Sequence, residues 1–188
     1  MSQFEYVAVL VSIIVGLALA QILRGIGRMA TTKDGPRPYW VHLVWTLFFF
    51  LYIVFFWWWE FQLDALEWNL TLYFVVIIYS TLLFFATLIL QPGSLDGFSS
   101  YREYYYSTRR WLFSLMIALI LWDVVDTLTK GTHHAAEMGN VWLYGHIAQV
   151  VAFAIAIVTA NETFHKINAL VWTLLLVGNV TWAFNVIG

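Results

Sequence analysis

The sequence predicts an all-α polytopic membrane protein with six transmembrane helices joined by short loops. Hydrophobic residues make up 62% of the 188 residues and charged residues only 11%, whereas soluble domains carry about 25% charged residues. Six stretches are apolar over roughly 20 residues, the length that crosses a hydrocarbon core of about 30 Å. These stretches nearly fill the chain, so we expect a single transmembrane domain over residues 1–188.

The first span is predicted over residues 4–23. Ala18-Leu19-Ala20 mimics the cleavage site of a signal peptide, but Glu5 and the lack of a preceding Lys or Arg are wrong for a signal. We therefore expect a retained helix. The other five spans are predicted at 40–59, 70–90, 111–127, 141–159 and 167–187.

The connection between the third and fourth spans carries a clear helix breaker, Gln91-Pro92-Gly93-Ser94. The segment that follows, residues 101–110, mixes charged residues with tyrosines. Such a segment is typical of a short helix that lies along the membrane interface. We expect a separate interfacial helix there.

The positive charges predict the orientation. Of the nine Lys and Arg residues, eight fall in the first, third and fifth loops: Arg24, Arg28, Lys33, Arg37, Arg102, Arg109, Arg110 and Lys166. Because positive loops stay in the cytoplasm, we expect both termini outside, on the periplasmic face of a bacterial inner membrane. The second loop, with Glu60, Asp64 and Glu67, fits the outside.

Two spans carry small residues at intervals of four, a pattern that permits close helix crossings in membranes. The first span has Ala8, Ser12, Gly16 and Ala20, and the fifth has Ala148, Ala152, Ala156 and Ala160. We favour packing within one chain, and the alternative is an interface between chains. We also expect the protein to form a homo-oligomer or to bind another membrane protein, in addition to the lipid bilayer.

The fourth span contains two aspartates, Asp123 and Asp126, which share one helical face because they are three residues apart. Ionisable residues inside a span are costly and usually mark function. At 1.5 Å per residue, Asp123 lies about 18 Å above the inner end of its span. The aspartates are therefore the first candidates for a functional site.

Polar residues on the next two spans reach a similar depth. His146 and Gln149 share a face of the fifth span, and Asn179 lies about 18 Å up the sixth. We expect these residues and the aspartates to form a polar layer in the outer half of the membrane. Glu60 and Asp64 would stand at its outer mouth and concentrate cations.

This layer predicts a small channel or secondary transporter for protons or a cation. A structural alternative is that the polar residues only hydrogen-bond helices together, with Asp123 neutral or bonded to His146 and Asp126 at the interface. A functional alternative is a non-transporting subunit, sensor or assembly partner of a larger membrane complex. No catalytic motif is present, so enzyme activity is not expected, and the net charge of −2 argues against nucleic-acid binding.

A second polar set belongs to the inner side and comprises Gln21, Arg24, Arg28, His42 and His165. Arg24 is expected to extend its charge to the headgroups. His42 and His165 start different spans, an arrangement that axial ligation of haem b requires. No spacing motif supports haem, so we predict neither a cofactor nor a metal site.

Overall fold

The computed structural model describes residues 3–31, 36–60 and 68–186, with the backbone alone for residues 3, 132–138 and 183–186. Within these ranges the chain forms six helices and no strand. They are α1 (Gln3–Thr31), α2 (Trp40–Trp59), α3 (Leu70–Leu90), α4 (Tyr101–Thr129), α5 (Thr132–Val158) and α6 (Glu162–Val186). The predicted all-α class is confirmed.

Among the described residues, the helices α1 to α5 each contain a segment long and apolar enough to cross a membrane. Their outward faces carry large apolar side chains such as Leu17 and Leu121, which are more than half exposed. The outward face of α6 is likewise apolar, with Leu174 67% exposed. Such surfaces suit contact with lipid rather than water, so the protein is a membrane-embedded helical protein.

Four helices, α1, α4, α5 and α6, extend beyond the spans predicted from hydropathy. α1 continues to Thr31 instead of ending at 23, and α4 begins at Tyr101 instead of 111. The expected separate interfacial helix over 101–110 is therefore wrong. Ser100 caps α4 because its hydroxyl accepts a hydrogen bond from the Glu103 amide, and no helix breaker follows before the apolar part.

The helix α5 contains a kink at Gly139, whose φ of 71° lies in the left-handed region that favours glycine. The segment from Gly139 to Val158 is the part that is apolar enough to span. The kink separates this segment from the polar start of the helix. The transmembrane part of α5 therefore begins close to the predicted position, 141.

The helix α4 lies between α3 and α5, while α1 packs against α3 and α2, and α2 packs against α6. Three buried aromatic rings join α2, α4 and α5 at the centre. The Trp45 ring centroid lies 5.5 Å from that of Phe113 and 5.9 Å from that of Phe153, with edge-on geometry. Because neighbours flank α4 on both sides, its inward face is shielded from lipid.

The helices run back and forth, so their connections gather at two ends. We call one end the Glu60 end: α2 and α4 finish there, α3 starts there, and Phe4 of α1 stacks on Trp57. We call the other the Gln91 end, where Tyr101 bonds to the Arg37 carbonyl. The two ends correspond to the predicted outer and inner sides, whose assignment to membrane faces stays a prediction.

The small-residue stripe of the first span does not pack inside the bundle. Ser12, Gly16 and Ala20 are exposed, and Ala8 is half-buried. The buried face of α1 instead carries Val7, Val11, Val15, Ala18 and Ile22. The predicted packing within the chain is thus wrong for this stripe, because larger side chains on the adjacent face make more van der Waals contacts.

The small residues of the fifth span differ in burial along the helix. Ala156 is fully buried and Ala152 is half-buried, while Ala148 is exposed. Ala160 is exposed and lies beyond the end of α5 at Val158. Only the middle of this stripe therefore packs inside the chain.

Candidate functional site

A cavity of about 440 Å³ lies between α2, α3, α4, α5 and α6, on the side of the Glu60 end. The five residues of the predicted polar layer all line it: Asp123, Asp126, His146, Gln149 and Asn179. Glu60, the predicted mouth residue, lines it too. Asp64, the other mouth residue, lies outside the described residues.

Four side chains from four helices form a continuous hydrogen-bonded chain along the cavity. The Tyr52 hydroxyl lies 2.6 Å from the Tyr79 hydroxyl, which donates to Asp123 Oδ1 at 2.7 Å. Asp123 Oδ2 lies 2.7 Å from His146 Nε2. We call these four residues the tyrosine–aspartate–histidine chain. It links α2, α3, α4 and α5 at the depth of the predicted layer.

The partners fix most of the hydrogen positions in this chain. His146 Nδ1 lies 2.9 Å from the Trp142 carbonyl oxygen, which can only accept, so Nδ1 carries a hydrogen. Tyr79 donates to Asp123, so Tyr52 must donate to Tyr79. One proton then lies between Asp123 and His146, held either by the imidazole or by the carboxyl group. The pair is thus a place where a proton can be gained or lost.

A second group of charges lies beside the chain, at the mouth of the cavity. Lys130 Nζ is 3.0 Å from Glu60 Oε1 and 2.5 Å from Asp126 Oδ2. The Asp126 side chain is 2% exposed and that of Glu60 4%, so Asp126 does not lie at an open interface. We call Glu60, Asp126 and Lys130 the mouth triad.

The triad buries two carboxyl groups and one ammonium group together, and both this burial and their mutual charges shift the pKa values of Glu60 and Lys130. Burial, followed by the negative field of Asp126, raises the pKa of Glu60 to about 7. Burial also opposes the charge on Lys130, but the two carboxylates outweigh it and raise the pKa of the ammonium. Lys130 is therefore charged at neutral pH, while Glu60 is balanced between its two forms.

Aromatic rings hold the tyrosine–aspartate–histidine chain in place. The Trp142 ring packs on the His146 ring at 4.4 Å between centroids. The Phe56 ring meets Tyr79 at 4.9 Å, and Trp59 meets Tyr52 at 5.7 Å. These contacts restrict the side chains that carry the hydrogen bonds. The result is a cavity with mainly aromatic walls and a few fixed polar atoms, as is typical of binding sites for small molecules.

Most of the inner polar set has structural contacts. The Gln21 amide donates to the Gln91 carbonyl at 2.6 Å, and Arg24, which is exposed, donates to Gln21 at 3.2 Å. Arg28 donates to the carbonyls of Pro92 and Gly93. These bonds tie the end of α1 to the end of α3 and do not form part of the cavity.

The two inner histidines are fully buried and have different surroundings. His165 Nδ1 lies 2.8 Å from the Tyr105 hydroxyl and Nε2 lies 3.0 Å from the Thr159 carbonyl, so haem ligation would require a bond to break. His42 packs on the ring of Tyr101, and neither of its nitrogens has a hydrogen-bond partner among the described residues.

Sequence reasoning missed three residues of the site: Tyr52, Tyr79 and Lys130. Tyr79 lies in the middle of α3, too deep for a tyrosine that only anchors at the headgroups, and this depth was a usable signal. Lys130 follows Asp126 by four residues, the spacing of an ion pair on a helix. Tyr52 gave no signal of its own in the aromatic run of α2.

Comparison with models of protein families, with curated proteins and with solved structures finds no match to this chain.

Proposed function

We propose that this protein translocates protons across its membrane, with the Asp123–His146 pair as the group that takes up and releases the proton. The observation that carries the proposal is the tyrosine–aspartate–histidine chain on the wall of a 440 Å³ cavity. Intramembrane carboxyl and imidazole groups in contact with a cavity are the usual components of proton relays.

The geometry favours a proton over a metal cation. Lys130 already occupies the position between the carboxylates of Glu60 and Asp126, so a metal ion there would meet a fixed positive charge. Asp123, in turn, is engaged on both oxygens by Tyr79 and His146. A proton needs no coordination shell, because it only moves along an existing 2.7 Å contact.

The neighbours of the pair are suited to both of its protonation states. When the imidazole holds the proton, the Tyr79 hydroxyl and the imidazolium both donate to the Asp123 carboxylate. When the proton is lost, the Tyr79 hydrogen bond still stabilises the carboxylate. The pair can therefore cycle without leaving a buried charge unbonded.

Proton flux into proteoliposomes tests the proposal. The purified protein is reconstituted, a potential is imposed with potassium and valinomycin, and internal pH is followed with a trapped dye. We expect wild-type flux above protein-free vesicles and at least a tenfold loss in Asp123→Asn, because the amide cannot take up the proton. Asp96→Asn makes the same chemical change on an exposed loop and should keep wild-type flux.

Two results would contradict the proposal in different ways. Equal flux in wild type and Asp123→Asn would remove the pair from the pathway. No flux from well-folded wild type would overturn translocation itself and favour the subunit, sensor or assembly role.

A further inference from the structure

We infer that the cavity also binds a small organic cation, a ligand with an ammonium group and an apolar body, which competes with the proton for the negative charge of the site. The inference rests on the proposed function, since both ions use the charge of the Asp123–His146 pair. Three features of the cavity carry it: its charge balance, one carboxylate oxygen and its walls.

The charge balance follows from the titratable groups that face the cavity. They are Tyr52 on α2 and Glu60 just after it, Tyr79 on α3, Asp123 and Asp126 on α4 and Lys130 just after it, and His146 on α5. The helix α6 contributes the uncharged Asn179 and Trp172. With every carboxyl ionised and His146 neutral, the described lining carries a net charge of about −2, and the shared proton reduces this to about −1. Uncompensated negative charge in an apolar cavity is costly, so a positive ligand is favoured.

One carboxylate oxygen is available to such a ligand. Glu60 is 3% exposed and lines the cavity, and its Oε1 accepts from Lys130. Its Oε2 is buried and has no hydrogen-bond partner among the described residues. Buried acceptors normally have a partner, because an unmet one costs about 1–3 kcal/mol. A positively charged group in the cavity would supply that partner.

The walls indicate the chemical class of the cation. Trp59, Trp142 and Trp172 line the cavity together with phenylalanine and leucine side chains, so most of the wall is carbon. An inorganic cation needs several oxygens to replace its water, but both oxygens of Asp123 and Oε1 of Glu60 already have partners within the protein. The face of a tryptophan attracts an alkylammonium group by a cation–π interaction, and the apolar walls bury its body. The volume falls within the range of about 300–1,000 Å³ found for small-molecule sites.

Competition with the proton follows from the shared charge. A bound ammonium group raises the free energy of a proton on the Asp123–His146 pair, and the proton weakens binding of the ammonium by the same factor. Binding of the cation should therefore release protons. Affinity should fall as the pH is lowered.

Titration calorimetry in lipid nanodiscs tests the inference with benzylammonium, which is charged at neutral pH and has N–H groups that can donate to Glu60 Oε2. Benzyl alcohol and benzoate serve as neutral and anionic probes of similar size. Repeating the titration in buffers of different ionisation enthalpy counts the protons released. We expect only the cation to bind, with release of up to about one proton and up to tenfold weaker binding per pH unit lowered.

Two pairs of variants localise the effect. Asp123→Asn should reduce proton release, because Glu60 alone is then left to give up a proton when the cation binds, while Asp96→Asn should retain it. Trp142→Leu should weaken binding of the cation by about 2- to 30-fold. Trp111→Leu makes the same change at an exposed tryptophan of α4 that does not line the cavity, and it should leave binding unchanged. Circular dichroism and elution volume establish that each variant is folded.

The results separate this inference from the proposed function. Proton flux in vesicles without cation binding, stronger binding of benzoate, or undiminished proton release in Asp123→Asn would overturn the inference alone. Cation binding with proton release, in a protein without proton flux, would support the site and overturn translocation.

Discussion

At the scale of single residues, Lys130 is the group that allows two carboxyl side chains to lie almost completely buried. Its ammonium contacts Glu60 and Asp126 at the same time. A lone buried carboxylate would remain protonated or destabilise the fold, since desolvation of an ion costs several kcal/mol. One cation cannot fully compensate two buried anions, and burial, followed by the negative field of Asp126, raises the pKa of Glu60 to about 7.

The raised pKa predicts a dependence of stability on pH. Because Glu60 is harder to ionise in the folded protein, its contribution is fully present below its ordinary pKa of 4.5 and is lost as the pH rises through about 7. This difference corresponds to a fall of about 3 kcal/mol in the free energy of unfolding. Glu60→Gln should lack this fall, so we expect it to gain stability relative to wild type between pH 5 and pH 8, measured by denaturant unfolding in detergent.

The control is Glu162→Gln. Hydrogen bonds from Lys166 and Arg102 lower the pKa of Glu162, so it is ionised throughout this range and should add no difference between pH 5 and pH 8. If the difference in free energy of unfolding between wild type and Glu60→Gln is the same at pH 5 and pH 8, Glu60 does not titrate between these pH values.

The residues of the site were partly predictable. Asp123, His146 and Asn179 could be placed at one depth because helical rise converts sequence number into height. Tyr79 was missed because its role depends on the hydrogen-bond partners that α2 and α4 present to it, and the sequence does not show which helices face α3. Lys130 was missed because its partner Glu60 lies 70 residues away in sequence.

At the scale of elements, the contact between α1 and α3 depends on a glycine. A Cβ at Gly25 would lie 2.0 Å from Gln91 Oε1, whereas one at Gly27 would meet nothing within 4 Å. The Gln91 amide cannot move freely, since it donates to the Thr46 hydroxyl at 2.8 Å. Close approach of the two helices therefore requires Gly25 to lack a side chain.

This contact predicts that Gly25→Ala is destabilising. The added methyl group would displace Gln91 and break its bond to Thr46, at a cost of about 1–3 kcal/mol. Gly27→Ala on the same helix should be neutral or stabilising by up to about 1 kcal/mol, because alanine favours helix. Thermal unfolding in detergent compares the two, and equal midpoints would contradict the close approach.

The existence of the helices was easier to predict than their ends. Runs of about 20 apolar residues mark the hydrocarbon region, and the structure has a helix at each of the six predicted spans. Hydropathy does not report a helix that continues beyond that region, so α1 continues past its predicted span and α4 begins before its own. The start of α4 depends on the Ser100 cap, a local signal that hydropathy averages away.

At the scale of the whole molecule, positive charge is concentrated at one end. Arg28 contacts the loop between α3 and α4, and Arg37 forms a backbone bridge with Ser100 at the end of that loop. Arg102 pairs with Glu162 at the start of α6. Among the described residues, Lys130 alone of the Lys and Arg side chains lies at the Glu60 end. This asymmetry predicts that the Gln91 end faces the cytoplasm.

Cysteine labelling tests the orientation without background, because the chain contains no cysteine. Asp96 is exposed at the Gln91 end, and Asn140 is exposed near the start of the membrane-spanning part of α5. A membrane-impermeant maleimide added to intact cells that express the protein should label Asn140→Cys, and should label Asp96→Cys only after permeabilisation. The reverse pattern would invert the predicted topology.

The faces by which the helices pack were the least predictable feature of the whole molecule. Lipid and neighbouring helices are both apolar, so hydropathy does not distinguish them. The small residues Ser12 and Gly16 identify a face of α1 with no bulky side chains, but that face is exposed on the outside of the bundle. Only the arrangement of all six helices decides which stripe of a given helix is covered.

The direction of the hydrogen bonds in the tyrosine–aspartate–histidine chain has a kinetic consequence. Both hydroxyls point towards Asp123. A proton relayed along the chain would leave each hydroxyl pointing the opposite way. Both hydroxyls would then have to rotate back before a second proton could follow. The chain would therefore deliver one proton for each rotation of the two hydroxyls. The rate of proton delivery would reach a maximum as the proton gradient or membrane potential increases, as in a carrier, whereas the rate through an open pore would keep rising.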